Sequence, residues 1–477
     1  MSLYYQGQNA HALTVDGAHL LFHVPTTSLF EMDHLDHEVL ALARDQGQLK
    51  AADLEQVFRD RVDPQVMRER IQGFRELKLL DPQPQAPEHR KKVEIREFPL
   101  TTMVLNVNTG CNLACRYCYK EDLAKPSAGN KMAFDTARQA IELLLKESPD
   151  REHYNIVFFG GEPLSNMPLI REVVSWADQR LAEIGAKADY SLTTNATLLT
   201  EELVDWLDAH RFGLTVSMDG PKTLHDLNRL TVGGKGSYDV VAAKARMLLA
   251  RYRSRPVGAR VTLTAGVTDV MAIWDHLRND LGFQEVGFSP VTAGSIDAHN
   301  LDETEVRQVF ERMKQLGEHY VTEALAGRSN GFSNMHQLMT DLWEGRSKAL
   351  PCGAGLGMLA VDHQGGLNLC HRFTGSEMDT FGTVTDGIKK AELGQFLEAR
   401  AERSGKGCAT CRIRNLCAGG CYHESYVHFS DPMMPTYHYC ELMRDWVDFG
   451  IAAYARILKH NPDFFPEHIA PRRSFGK

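Results

Sequence analysis

From residue 98 to about residue 291, short apolar runs alternate with longer stretches whose apolar positions recur at helical spacing. The strand-like runs fall at 102–107, 154–159, 190–194, 214–218, 260–264 and 286–290, with amphipathic segments such as 133–147 and 167–184 between them. Strand and helix in alternation predict a parallel sheet with crossover helices, here six strands of an α/β domain over residues 98–300. In parallel α/β sheets the chemistry collects at the C-terminal ends of the strands.

The pattern is different on either side. Residues 13–15, 20–24 and 28–32 read as short strands with a turn at Asp16-Gly17, followed by helical stretches at 37–44, 52–60 and 64–80, the last opened by Pro64. Together they predict a winged-helix-like module over residues 1–80. Residues 81–97, rich in proline and then basic from His89 to Lys92, read as a partly extended linker whose charge run is a solvated face. Residues 301–346 read as a helical connector, 347–445 as a cysteine-rich domain and 446–477 as a C-terminal helix and tail.

Charge narrows the partners. The chain carries a net charge of −9, and residues 1–80 hold eight Lys/Arg against twelve Asp/Glu, so the winged-helix-like module is acidic where a DNA-binding domain is basic. Peptide recognition, by adding a strand to a sheet edge, suits it better, with a plain docking role as the alternative. No apolar run approaches a membrane span, and MSLYYQGQNA lacks the regions of a signal peptide. The expectation is a cytoplasmic protein without nucleic-acid or membrane partners. Its ten cysteines then point to metal rather than disulfides.

Three cysteines, Cys111, Cys115 and Cys118, share one loop just after the first barrel strand, and the other seven lie beyond residue 350. Thiolates are soft ligands, and three from one loop leave one iron of a four-iron cluster free. A zinc knuckle is the alternative, but structural zinc takes four ligands and no fourth Cys or His follows nearby. After the second strand comes Gly160-Gly161-Glu162-Pro163, where glycines permit close backbone approach and Glu162 can accept from an ammonium group. Thr193-Thr194-Asn195 ends the third strand, and Ser217-Met218-Asp219-Gly220-Pro221 with His225, Asp226 and Arg229 follows the fourth. Thr and Asn also close strands into turns, and Asp219 and His225 can be turn and packing residues. Gly233-Gly234-Lys235-Gly236-Ser237 lacks phosphate-loop spacing and reads as a flexible loop.

The Cys-x3-Cys-x-Tyr-Cys loop, with Tyr117 as its aromatic residue, resembles that of the radical SAM enzymes. The resemblance implies a partial (β/α)6 barrel and a four-iron cluster on Cys111, Cys115 and Cys118. The free iron would bind S-adenosylmethionine, cleaved reductively to a 5′-deoxyadenosyl radical. It also implies cofactor contacts from Tyr117, Gly160, Gly161, Glu162, Pro163, Thr194, Asn195, Ser217, Asp219 and Arg229. The run Gly365-x4-Cys370, then Cys408-x2-Cys411-x5-Cys417-x3-Cys421 and Cys440, resembles the SPASM extension of peptide-modifying members. By that resemblance Cys408, Cys411, Cys417 and Cys440 ligate an outer auxiliary cluster, and Cys352, Cys370 and Cys421 an inner one, making three [4Fe-4S] clusters. The inner set is one ligand short. Met358, Asp362 or His363 can close it, or an open iron can take a substrate thiolate.

With Leu369-Cys370-His371-Arg372-Phe373, the whole chain resembles the quinohemoprotein amine dehydrogenase maturation proteins. These join a Cys sulfur to a methylene carbon of Asp or Glu within the small Cys-rich γ subunit of that dehydrogenase. The resemblance implies such a polypeptide as partner, and a reductase, flavodoxin or ferredoxin as electron donor. Sulfatase-maturing enzymes share the architecture but carry Asp directly after the Gly-x4-Cys cysteine, where this chain has His371. A non-catalytic iron–sulfur electron carrier would need neither Gly160–Pro163 nor the Ser217 to Arg229 pattern.

Overall fold

The structure is a computed structural model of the 477-residue chain, and it describes residues 2–84, 95, 97–119, 129–292, 297–402, 407–434 and 439–469. The basic run of the expected linker and the C-terminal tail beyond 469 lie outside the described residues.

The N-terminal region is two small antiparallel sheets on three helices. Its elements are β1 (Ser2–Tyr5), β2 (Ala10–Val15), β3 (Ala18–His23), β4 (Ser28–Met32), α1 (His34–Gln46), β5 (Gln48–Lys50), α2 (Ala51–Phe58), α3 (Pro64–Glu76) and β6 (Leu80–Asp81). The sheets run β5-β1-β6 and β2-β3-β4. The pattern predicts the second sheet and not the first, because two- to four-residue strands carry too little alternation to register. Helix α3 stops before the expected residue 80. Lys78 takes a left-handed φ of 51°, which turns the chain into β6. Leu3, Leu21, Val39, Leu54, Met67 and Ile71 form the core of this region.

β3 also serves a second core. Phe22 and Val24 are buried in the large hydrophobic cluster of the rest of the chain. Polar contacts reinforce the joint: Asn415 Nδ2 donates to Val24 O at 2.8 Å, Arg414 Nη1 to Gln8 O at 2.6 Å, and His11 Nε2 lies 2.8 Å from Asp448. Residues 1–80 are therefore part of one packed body, and removing them would uncover core.

The main sheet starts with β7 (Thr102–Asn108), α4 (Phe134–Glu147), β8 (His153–Gly160), α5 (Met167–Glu183), β9 (Lys187–Thr194), α6 (Glu201–Ala209) and β10 (Gly213–Ser217). It continues through α7 (Lys222–Asn228), α8 (Tyr238–Arg251), β11 (Val257–Leu263), α9 (Val270–Asp275) and β12 (Glu285–Pro290). These six strands, parallel and in chain order, are the partial (β/α)6 barrel. Next come α10 (Glu303–Leu325), α11 (Ser333–Trp343), β13 (Met358–Val361) and β14 (Leu367–Asn368). β13 adds parallel to β7 and β14 antiparallel to β13, so the cysteine-rich region extends the barrel sheet. The rest of that region includes β15 (Gly382–Thr383), β16 (Gly387–Ile388), α12 (Lys390–Glu402), α13 (Arg414–Cys417), α14 (Tyr422–Phe429) and α15 (Cys440–His460).

The two faces of the sheet differ in chemistry. Tyr154, Ile156, Phe158, Leu192, Leu214, Val216, Val261 and Leu263 are buried against the helices. The alternate positions include Ser191, Thr193, Thr215, Ser217, Arg260, Thr262 and Ser289, and all of these keep some solvent exposure. Pairing puts Ser217 beside Arg260, Arg260 beside Gly287 and Thr262 beside Ser289, so they share one face. That face lines a polar chamber. Its other wall is the cysteine-rich region: Asn106 Nδ2 donates to Thr374 Oγ1 at 3.1 Å, and the His371 ring lies 4.2 Å from that of Phe159.

Candidate active site

Cys111, Cys115 and Cys118 follow β7 on a loop pinned from both sides. Ala114 N donates to Leu230 O at 2.8 Å and Arg116 N to Asn228 O at 2.9 Å, while Leu113 bridges to Thr231. Residues 233–237, expected to be flexible, belong to a turn closed by the Leu230–Gly236 bridge, and that turn props the cysteine loop. Glu162 N donates to Gly110 O at 3.0 Å from the other side.

This explains the paired glycines. A Cβ on Gly160, whose φ is +149°, would stand 2.2 Å from Asn108 O, and one on Gly161 would stand 2.1 Å from Gly110 O. The space released by the missing side chains is filled by the backbone of the cysteine loop itself. Pro163 follows as the first residue of a buried 3₁₀ turn, Pro163–Asn166.

Glu162, 1 % exposed, accepts from Leu164 N at 3.1 Å, Thr194 Oγ1 at 2.7 Å and Asn195 N at 2.8 Å. Burial raises its pKa, and these donors oppose the rise. Asn195 in turn points Nδ2 at Cys111 Sγ, 3.7 Å away, and Leu113 N approaches the same sulfur at 3.4 Å. Thr194 and Asn195 thus connect the carboxylate to the first cysteine and are more than a strand-ending turn.

A second knot lies behind the loop. Tyr117 Oη donates to Asp219 Oδ2 at 2.6 Å and accepts from Arg229 Nη1, and Arg229 stands 3.8 Å from Asp219. Thr262 N occupies the other Asp219 oxygen at 3.0 Å. His225 accepts from Asp219 N at 3.4 Å and bonds Ser237 Oγ at 3.0 Å. Burial, with help from Arg229, pushes its pKa down to about 3, so it packs as a neutral ring. Asp219 thus bonds Tyr117 of the loop from behind, and His225 bonds Asp219 N in turn. Arg229 Nε is buried without a hydrogen-bond partner, and the Arg229 charge acts on Cys115. An unpaired guanidinium donor beside Cys115, on the loop that also carries Cys111 and Cys118, with Glu162 acting on Cys111, fits a cluster and an amino-acid-bearing ligand. Ser217 stands on the chamber face, level with Arg260.

The remaining cysteines fall into two neighbourhoods. Burial pushes the Cys370 thiol up to about 12, with Cys421 and Cys352 contributing. Burial raises Cys417 to about 11, with Cys408, Cys411 and Cys440 contributing. Among the described residues no group of three or more His, Cys, Asp or Glu side chains is placed to hold a metal ion. Fully buried Arg400 fixes the turn before Cys421, donating Nη2 to Gly419 O at 2.9 Å and Gly420 O at 3.0 Å. Asp362 accepts from Gln364 N at 2.9 Å, Gly366 N at 3.0 Å and Asn368 Nδ2 at 3.2 Å, so its carboxylate closes the β13–β14 hairpin.

The two cysteine systems meet at Tyr119, whose buried phenol feels both Cys118 and Cys370. Its ring lies 5.4 Å below the Arg372 guanidinium and 5.7 Å from that of His423. Comparison with protein families matches residues 105–276 to the Radical SAM superfamily. These residues form a radical SAM domain. The protein is a radical SAM enzyme that uses S-adenosylmethionine and a [4Fe-4S] cluster.

An uncharacterized protein of Archaeoglobus fulgidus is 26 % identical over 73 % of this chain and 80 % of its own length. The serine-type anaerobic sulfatase-maturating enzyme of Klebsiella aerogenes is 25 % identical over 68 % and 80 %. A cysteine-type counterpart from Clostridium perfringens is 30 % identical over 31 % of this chain and 40 % of its own. In fold, the radical SAM enzyme is similar to native anSMEcpe with bound AdoMet and Kp18Cys peptide, with a TM-score of 0.65 and 20 % identity over 76 % of this chain and 99 % of that one.

Arg260, Arg400 and Glu424 escaped the sequence reading. Arg260 left a signal: it is a charge in the middle of a strand that otherwise reads as a buried parallel one.

Proposed function

We propose that this enzyme forms thioether bonds within a small Cys-rich polypeptide, joining Cys sulfur to a methylene carbon of Asp or Glu. The γ subunit of a quinohemoprotein amine dehydrogenase is the proposed substrate. The observation that carries this reading is the meeting of the radical SAM loop with the Cys370 segment: Tyr119, directly after Cys118, lies under Arg372, two residues beyond Cys370. Oxidative sulfur chemistry needs a radical source and a second electron-handling centre near one substrate.

In this assignment Cys111, Cys115 and Cys118 hold the catalytic cluster. Cys352, Cys370 and Cys421 hold an inner auxiliary cluster, and Cys408, Cys411, Cys417 and Cys440 an outer one. When bound, the catalytic cluster and S-adenosylmethionine supply a 5′-deoxyadenosyl radical that removes hydrogen from carbon. Asn195 orients and hydrogen-bonds Cys111, Arg229 offers a donor to the cofactor's carboxylate, and Glu162 holds Thr194 and Asn195 in place for its amino group. The Asp362 carboxylate is already engaged, which favours an inner iron open to a substrate thiolate over closure by this residue. The outer edge of β4, with Phe30 exposed, offers the polypeptide a strand to pair with. A reductase, flavodoxin or ferredoxin would supply electrons.

Sulfatase-type oxidation of a Cys or Ser side chain is the second reading, favoured by the Klebsiella and Clostridium relatives. Against it, the residue after Cys370 is His371, packed on Phe159, where that branch carries Asp. Mass spectrometry of a co-expressed candidate γ subunit separates them. Each thioether bond removes two hydrogens and blocks one thiol, whereas a hydrazine-reactive aldehyde would establish the second reading.

A further inference from the structure

Arg260 stands in the middle of β11 on the chamber face, where it keeps solvent exposure while its neighbours Ala259 and Val261 are buried. Gly287 opposite makes room for it, since a Cβ there would lie 3.3 Å from Arg260 Nη1. On the facing wall, Arg372 lies over the Tyr119 ring two residues beyond Cys370. Neither guanidinium hydrogen-bonds or ion-pairs with any described residue. Each carries a planar array of donors suited to a carboxylate. Glu424, in the first turn of α14, is the carboxylate nearest both in effect, and Tyr439 Oη donates to it at 3.4 Å. Burial and then Arg372 depress the pKa of Arg260, with Glu424 opposing, so the two cations lie within electrostatic reach across the chamber.

Two guanidinium groups facing one water-accessible space, neither with a hydrogen-bond partner among the described residues, are placed to take an anion. The ligand must reach the chamber beside Cys118 and Cys370, where the substrate's reacting carbon has to lie. We propose that Arg260 and Arg372 form a carboxylate clamp that seats the acidic side chain of the peptide substrate at the radical site, with Glu424 as the counter-charge that the substrate relieves. This rests on the reading of the chamber as the peptide-modifying site. It makes Asp and Glu the recognised side chains, and it gives a physical reason for chemistry at their methylene carbons: the clamp holds the carboxylate and leaves the adjoining methylene facing the radical.

The test uses the anaerobically reconstituted holoenzyme and a short synthetic peptide carrying one Cys and one Glu, compared with its Gln twin. Affinities are measured calorimetrically at pH 8 in the presence of S-adenosylmethionine. The Glu peptide should bind roughly tenfold more tightly, the size of one charge-assisted hydrogen-bonded pair. Arg260→Met and Arg372→Met should each bring the two peptides to near-equal affinity, with iron content and melting temperature reporting the fold. Arg260→Lys should keep part of the preference. Glu424→Gln should tighten the Glu peptide alone, an outcome that a merely structural role would not give. Equal binding of the twins by the unaltered enzyme, a full preference surviving in both Met variants, or no tightening in Glu424→Gln would overturn the clamp. An intact preference without thioether formation would instead overturn the reaction class and leave the clamp standing.

Discussion

Cys111, Cys115 and Cys118 lie within eight residues of one another, on a loop gripped by side chains from the ends of β8, β9 and β10. Cys352, Cys370 and Cys421 come from segments up to 69 residues apart and gather only when β13 and β14 extend the sheet and Arg400 sets the turn before Cys421. The first group is local in sequence and rigid through dense polar bonding. The second is a product of tertiary packing. Because one group is local and the other is assembled by tertiary packing, their tolerance to substitution should differ.

The largest effect belongs to the loop. Cys115→Ala should abolish release of 5′-deoxyadenosine by dithionite-reduced enzyme, a loss beyond the roughly 10–100-fold that changes around a metal's ligands bring. Release at an undiminished rate would remove the loop from the chemistry. For the dispersed group the sensitive residue is no cysteine. Arg400→Met would leave Gly419 O and Gly420 O without their donor, at about 1–3 kcal/mol for each buried carbonyl. The expected result is a lower melting temperature and loss of about four irons per chain, one cluster's worth. Full iron content in that variant would mean that the Cys352/Cys370/Cys421 site does not depend on tertiary packing.

Gly161→Ala asks whether the loop's rigidity comes from backbone contact. The new Cβ would fall 2.1 Å from Gly110 O, which no flexible side chain can relieve. A destabilisation of about 1–3 kcal/mol should follow, together with incomplete cluster loading seen in the visible absorption. Unchanged loading would show that Gly110 can move aside.

How much of this was legible follows the same division. The six parallel strands, the cysteine loop, and the motifs at the ends of β8, β9 and β10 could be read directly, because period and spacing are local properties. The joint between β3 and the main core could not, because Phe22 and Leu21 are both simply apolar and only the fold decides which core each enters. The glycines were found for an incomplete reason, since the backbone they accommodate is 51 and 52 residues away in sequence. Arg260 was visible as an anomaly in an apolar strand, but its meaning needed Arg372 from the opposite wall.

The smallest effect should come from Tyr117→Phe, which removes one oxygen from the knot behind the loop and leaves the ring in place. Asp219 would lose its 2.6 Å donor and keep Thr262 N and the more distant Arg229. The static cost is about 1–3 kcal/mol for an acceptor left short of a donor. Its pH dependence has a definite sign. Burial already raises the Asp219 pKa above its unfolded value, with Arg229, Thr262 and Tyr117 opposing, so losing the tyrosine raises it further. Between the unfolded and folded pKa the native state binds more protons than the unfolded chain, and stability falls as pH rises. In the variant that fall extends to higher pH, so the gap between the two proteins should widen from mildly acidic to mildly alkaline buffer. Thermal melts across that range measure it. A gap that stays constant would mean that Asp219 keeps its ionisation without Tyr117, and that Arg229 and Thr262 N suffice to hold the carboxylate behind the cysteine loop.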